Sequence, residues 1–416
     1  MPGPEDTASI HGAPEVAVTG LGAVSAAGIG ARELWDGLLA GKPLCRPAPP
    51  SARGIPLPGE AGVLGEISAR IDDIVAPRFL RRVSTITRYS LGAAALALKE
   101  AAGPGLPPGR LDDTAVLLGT SYGSAEYHFE YYERLFRNGI KDASPLLFSE
   151  SVMNAAPGHL SIVLGLRGPT LAVMGGEEAG LAAIADGIDR LRLREAGAAL
   201  AGGAEEYCDF VHAALAGRGI VSGERAQPFS GAERGSFLGE GAAVLVLERA
   251  EDARSRGAPI LALAAGCGFA RGFDGGEAGS RAVEAAIRSA LRDARCAPED
   301  VDLVVSSARG GALDADEASG IERALGTARS DPRWIIAPKA VLGEGFAFTS
   351  AVEALVAVKA IAEGVVPPGP GGPAPGAPRG MVFPASPVEA RIGRALAVSL
   401  NLKKAAVAVV FEAPRS

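Results

Sequence analysis

Histidine, cysteine, methionine and tryptophan are all scarce in this chain of 416 residues, numbering four, four, four and two. The cysteines, Cys45, Cys208, Cys267 and Cys296, form no C-x-x-C pair, so neither a disulfide framework nor a zinc site is indicated. His11, His128, His159 and His212 are equally scattered, and none lies in the second half. Little material remains for histidine-based chemistry, and no metal is expected. No apolar run reaches the roughly 18 residues that a membrane span needs, and the start MPGPEDTASIHG lacks a basic, then apolar, export signal. These features lead us to expect a cytoplasmic protein with no membrane partner. A net charge of −7 argues against nucleic acid as the main partner.

What is present is core-forming material: 48% of the residues are hydrophobic, enough chain for two or three domains' worth of interior. The most informative stretch is GPTLAVMGGEEAGLAAIADG, residues 168–187. Leu171 to Met174 read as a strand, Gly175 and Gly176 as a break, and Ala179 to Ile184 as the start of a helix. A turn of this kind commonly presents a nucleophile at a helix N-terminus, with backbone N–H groups nearby for an oxyanion. Here it offers Glu177 and Glu178, where acyl transfer would want a thiol or hydroxyl. Two carboxylates favouring a helix N-terminus is the simpler account of the same residues.

Elsewhere short apolar runs alternate with helical ones. EVAVTGLGAVSAAG, from Glu15, superficially resembles a dinucleotide fingerprint, but the third glycine is displaced, and Trp35 to Gly41 reads as a helix end rather than the close of a next strand that would carry the acidic residue. No cofactor is expected. Ile86 to Ala102 reads as a helix ended by Gly103-Pro104, and Thr114 to Gly119 as a strand. The following SYGSAEYHFEYYERLF holds Tyr122, Tyr127, Tyr131 and Tyr132, four of only six tyrosines, with Phe129 and Phe136. Core packing explains any single ring, but the cluster suits a subunit interface or a tunnel wall. After Arg249 the charged segment EDARSRGAP marks an internal boundary, which predicts two halves, 1–250 and 251–416. Strand and helix alternate in both, which argues an α/β architecture with buried sheets and hints at duplication.

Taken in order, VTGLGAVSAAG with LWDGLLAGK, NAAPGHLSI with LRGPT, AGGAEE, PFSGAERGSFLGEGAAVLVLE and PKAVLGEGFAFTSAVEALVAVKA resemble the β-ketoacyl-ACP synthase family of the thiolase superfamily over nearly the whole chain. The resemblance implies a thiolase-like five-layered αβαβα fold made of two similar halves, and an obligate dimer. It does not carry over the catalytic set. The family's acyl-accepting Cys falls on Glu177, its first His near Ala308 in ARGGAL, its second His on Glu344, and only Lys339 remains. These four read as vestigial positions, with no catalytic residue among them. A carboxylate lacks a thiolate's nucleophilicity, and Glu344 would put negative charge where an enolate develops.

A ketosynthase fold without its chemistry resembles the chain-length factor, or KS-β subunit, of type II polyketide synthases, although Glu177 departs from the Gln usual there. That resemblance implies a heterodimer with a catalytic ketosynthase (KS-α) and a growing chain on an acyl carrier protein. Tyr127, Phe129, Tyr131 and Tyr132 are then expected to gate the tunnel or line the interface, and the strand carrying Leu171 and Val173 to pair across the dimer. A malonyl-ACP decarboxylase that primes synthesis and a homodimeric ketosynthase-like scaffold are the alternatives.

Overall fold

The computed structural model describes residues 13–51, 53–57, 59–63, 70–102, 112–231, 235–273, 275–327, 333–369 and 374–415. His11, the Gly103-Pro104 helix stop and residues 232–234 of the PFSGAERGSF segment lie outside the described residues. Ten strands carry the architecture. The first half contributes β1 (Val16–Ser25), β2 (Thr114–Thr120), β3 (Thr170–Met174), β4 (Ala198–Glu205) and β5 (Gly241–Arg249). The second contributes β6 (Ala262–Arg271), β7 (Leu303–Ser306), β8 (Arg333–Ile336), β9 (Arg394–Leu400) and β10 (Ala405–Glu412).

In space the first five run β3-β2-β4-β5-β1 and the second five β8-β7-β9-β10-β6. In each set the first three are parallel and the last two join antiparallel. One topology therefore occurs twice in tandem, and the two copies are joined where Val16 to Val18 pair with Ala262 to Ala264.

Parallel strands are stable only with both faces covered, so each sheet is buried on two sides. Alternation along each strand sorts side chains between an inner and an outer core. Leu117 enters the inner core while Val116 and Leu118 enter the outer core of the first half; Val305 and Val304 divide in the same way in the second. Helix α1 (Thr85–Ala101) closes the outside of the first sheet. After it, α2 (Ala125–Asn138) carries the aromatic stretch, and α3 (Ala179–Arg192) enters the middle layer. In the second half α4 (Ala278–Asp293) and α5 (Leu313–Leu325) close the outside, while α6 (Ala347–Glu363) joins α3 between the sheets. The result is the five-layered αβαβα arrangement.

Two departures from the sequence expectations are local. VTGLGAVS forms one continuous strand, β1, rather than a phosphate-cradling turn; a Cβ on Gly22 would lie 1.9 Å from the Ala93 carbonyl oxygen, so that glycine lets α1 sit close on the sheet. Strands β8 and β9, both short, were not singled out by pattern. Among the described residues no helix is long and apolar enough to cross a membrane.

Candidate functional site

The site lies where the middle helices begin. A Cβ on Gly180, in the first turn of α3, would stand 2.0 Å from the Ala347 carbonyl oxygen at the start of α6, so glycine there allows the two helix N-termini to meet. Ser350 of α6 reinforces the junction: its hydroxyl oxygen accepts from the Gly180 and Leu181 N–H groups at 3.1 and 3.3 Å, satisfying donors that a helix start leaves open. Glu177 precedes α3 by two residues and Glu344 precedes α6 by three. The turn expected at Gly175 to Glu177 is present, and each half directs one acidic side chain into the same place.

Both carboxylates are buried, and they share one cation. Arg309 Nη1 donates to Glu177 Oε1 at 2.8 Å and to Glu344 Oε2 at 2.7 Å. Lys339 Nζ donates to the same Glu344 Oε2 at 3.0 Å. The remaining oxygens take backbone donors, Leu402 N–H on Glu177 Oε2 at 3.2 Å and Phe346 N–H on Glu344 Oε1 at 2.8 Å. Two carboxylates thus face two cations, and every carboxylate oxygen has a partner, the condition under which buried ions are tolerated. Burial pushes the Glu344 carboxyl up, but Lys339 and Arg309 outweigh it and hold it below the usual carboxylate range. Burial also works against the Lys339 charge, yet Glu344 and then Glu353 keep its pKa above the usual lysine value. Glu353, also buried, is held well above the usual carboxylate range by burial itself.

Three loops set this geometry. Arg309 follows β7, where Asp314 accepts from the Arg309 and Gly310 N–H groups at 3.1 and 2.9 Å and fixes the loop. Glu344 is tied through its own backbone, donating N–H to the Phe237 carbonyl oxygen at 2.8 Å and accepting at its carbonyl from Gly239 N–H at 2.9 Å. Leu402 belongs to the SLNLKKAA turn between β9 and β10. Of the four positions expected from sequence, Glu177, Lys339 and Glu344 converge. The side chain that enters beside them is that of Arg309; Ala308, one residue earlier, is buried, and its N–H donates to the Ser306 hydroxyl at 3.1 Å. Pattern matching to the family's histidine passed over Arg309, and the arginine in SSARGG directly after a strand was the available signal. Tyr122 is a second addition, its ring 5.0 Å from that of Phe346 and perpendicular to it.

The aromatic stretch forms α2, and no residue of that helix is buried. The Tyr127 hydroxyl donates to the Val83 carbonyl at 3.4 Å, Phe129 packs 5.5 Å from Phe210, and Tyr131 lies 5.4 Å from Tyr132 and 5.7 Å from Phe148. Tyr132 and Phe136 are 48% and 83% exposed. Beyond them, Ile162 and Met174 are 78% and 64% exposed near the outer edge of β3. The side chains of Leu171 and Val173 pack against the inner core of their own chain, and what β3 leaves open is its backbone edge, since β2 is its only strand neighbour among the described residues. Apart from this site, Glu126, Cys208 and Asp209 bring ligand atoms within 4.8 Å of one another. The Arg53 guanidinium stands where a cation would, 2.7 Å from Glu126 and 2.6 Å from Asp209.

Among the described residues, the elbow position is therefore a carboxylate, Glu177, in place of a thiol or hydroxyl, and no histidine bonds to Glu177, Arg309, Lys339 or Glu344. Nη1 of the Arg309 guanidinium is taken up by the two carboxylates. This is a thiolase-like elbow with a neutralised centre. The β-ketoacyl synthase N-terminal domain matches residues 13–253 and the β-ketoacyl synthase C-terminal domain residues 261–371, so the chain belongs to the β-ketoacyl synthase family. It is 32% identical to nodulation protein E of Rhizobium sp. (strain N33) over 368 residues, 85% of this chain and 87% of that protein. It is also 32% identical over 403 residues to the tetracenomycin polyketide synthase ketoacyl synthase beta subunit of Streptomyces glaucescens, covering 93% and 95%. Among solved structures, the ishigamide ketosynthase/chain length factor superposes with a TM-score of 0.85 at 25% identity, over 97% of this chain and 100% of that one.

Proposed function

We propose that the chain is a non-catalytic chain-length factor: a subunit that pairs with a catalytic ketosynthase and helps set how far a polyketide or polyene grows on an acyl carrier protein. One observation carries this reading. The guanidinium of Arg309 is shared by Glu177 and Glu344 at the two positions where the family resemblance places the acyl-accepting Cys and a catalytic His. Condensation needs a nucleophile there to take up the acyl group and free donors to stabilise the enolate that forms as malonyl loses CO₂. A carboxylate held by an arginine supplies neither. In this reading Glu177 is structural, filling the pocket and holding the elbow in place.

Two further features support it. The beta subunit of the tetracenomycin synthase and the ketosynthase/chain length factor are both similar along nearly the whole chain. The open edge of β3 and the exposed apolar side chains beside it form the kind of patch that a partner subunit covers.

The test is reconstitution. The purified chain, given acyl-ACP and malonyl-ACP, is expected to produce neither a condensed product nor CO₂, and a Cys/His-bearing ketosynthase co-expressed with it is expected to restore elongation. Condensation by the chain alone would overturn the proposal, and CO₂ release alone would replace it with the decarboxylase reading.

A further inference from the structure

We infer that Arg53 is the positioning residue of the aromatic helix α2, holding it at its first turn and fixing its ring surface through Phe129. The consequence for product length rests on the chain-length reading above; the placement of the helix does not.

No residue of α2 is fully buried, so its packing against the rest of the chain is partial, through rings such as Phe129 on Phe210 and Tyr131 on Phe148. Its charge-assisted fastenings gather at the first turn. The Glu126 N–H donates to the buried Glu206 carboxylate at 3.0 Å, and the same carboxylate accepts the Ile86 N–H at 2.9 Å, so one acid caps the starts of both α1 and α2. The Glu126 side chain takes Arg53 by two bonds, Nη2 to Oε2 at 2.7 Å and Nη1 to Oε1 at 3.2 Å. Arg53 Nη1 also donates to Asp209 Oδ1 at 2.6 Å, and Asp209 is the first residue of the helix Asp209–Gly217. Three separate segments, the Pro-rich loop carrying Arg53, α2 and the 209–217 helix, thereby meet on one guanidinium.

The same guanidinium sets a ring. Its carbon lies 4.1 Å from the centroid of Phe129, whose ring is also 5.5 Å from Phe210. A planar, always charged group can make the paired carboxylate contact and the ring contact together, whereas an ammonium cannot. Phe129 is thus held in its own subunit while Tyr132 and Phe136, further along the helix, face outward. Rotating or loosening the first turn moves those outward rings, because a helix shifts as a unit.

The experiment uses Arg53→Ala, Arg53→Lys, Phe129→Ala and the Arg53→Ala/Phe129→Ala double variant, each as the full chain and as the complex with its ketosynthase. Amide hydrogen exchange is read over residues 126–132, with 179–192 as the internal reference. Arg53→Ala is expected to cut protection in 126–132 by about tenfold or more, in keeping with loss of charge-assisted bonds, leave 179–192 unchanged, and raise the share of longer products about twofold or more. Arg53→Lys should recover the exchange only in part, and the double variant should differ little from either single one. Unchanged exchange in Arg53→Ala overturns the inference whatever the products. So does an unchanged product distribution in Arg53→Ala if Phe129→Ala alters it. If exchange rises but no variant, Phe129→Ala included, changes product length, Arg53 keeps its role and the chain-length reading falls.

Discussion

Glu177 and Glu344, 167 positions apart in sequence, are bound to the same nitrogen of Arg309, at 2.8 and 2.7 Å. The site is a closed set of charges, and its members are not equivalent. Arg309 answers two acids, whereas Glu177 answers one cation.

Removing the cation should therefore cost more than removing the acid. Arg309→Ala leaves two buried carboxylates short of a partner and is expected to lower unfolding free energy by about 3–5 kcal/mol. Glu177→Gln keeps an oxygen for Arg309 and for the Leu402 N–H and should cost about 1–3 kcal/mol. The double variant should be less unstable than the sum of the two. Urea unfolding of the isolated chain measures all three, and Glu177→Gln proving the more damaging single change would contradict the charge arrangement described.

Two further buried acids make stability depend on pH. Burial raises Glu205 to about 8 and Glu206 to about 7, against partial compensation from the backbone N–H groups they accept. Between about pH 4.5 and those values the folded chain holds protons that the unfolded chain has released, so stability falls as pH rises through that window and levels off above it. Glu344 works in the opposite sense at lower pH. Its depressed folded value means its contribution is present above about pH 4.5 and lost as pH falls below it. Glu206→Gln should flatten the fall between pH 4.5 and 7 by about 1–3 kcal/mol. Thermal melts across that range check it; a variant curve parallel to the wild type would refute the assignment.

Shrinking a ring that limits a growing chain should lengthen the product. Alanine variants of Tyr127, Phe129, Tyr131 and Tyr132, each assembled with the ketosynthase, are expected to include at least one that shifts the products to longer chains by mass spectrometry. Unchanged length across all four would remove the gate.

The exposed apolar side chains should matter to assembly and little to folding. Phe136→Glu and Ile162→Asp alter side chains that are largely in solvent, so the isolated chain should change in stability by no more than about 0.5 kcal/mol, while binding to the ketosynthase weakens about tenfold or more. Sedimentation of the mixed subunits gives the second quantity. Wild-type affinity in both variants would place the partner elsewhere.

Much of this was legible in the residues. The strand-turn-helix at Glu177 shows in the run from an apolar stretch through Gly175-Gly176 to an Ala-rich helix, and the tandem strand order shows in alternating runs. Strands β8 and β9 were passed over although β7 and β2, of the same four and seven residues, were legible: each opens on an arginine, Arg333 and Arg394, where an apolar run would be looked for. Arg309 was hidden for another reason: comparison with a family looks for the residue type that performs the chemistry, and an arginine that pairs with two acids has no counterpart to match. Helix α2 shows its aromatic content in sequence, but the contacts that Arg53 and Glu206 make at its first turn come from far away along the chain and leave no local signal.

The inner core joins side chains of both sheets around α3 and α6. If a protease opened the chain after Arg249, each fragment would carry a naked apolar wall, and the amino-terminal one would also keep Glu177 without its guanidinium. Neither piece has the means to stand by itself, so the repeat seen in the strand order cannot be cut into two self-sufficient proteins; mixed together, the fragments should find stability only in each other.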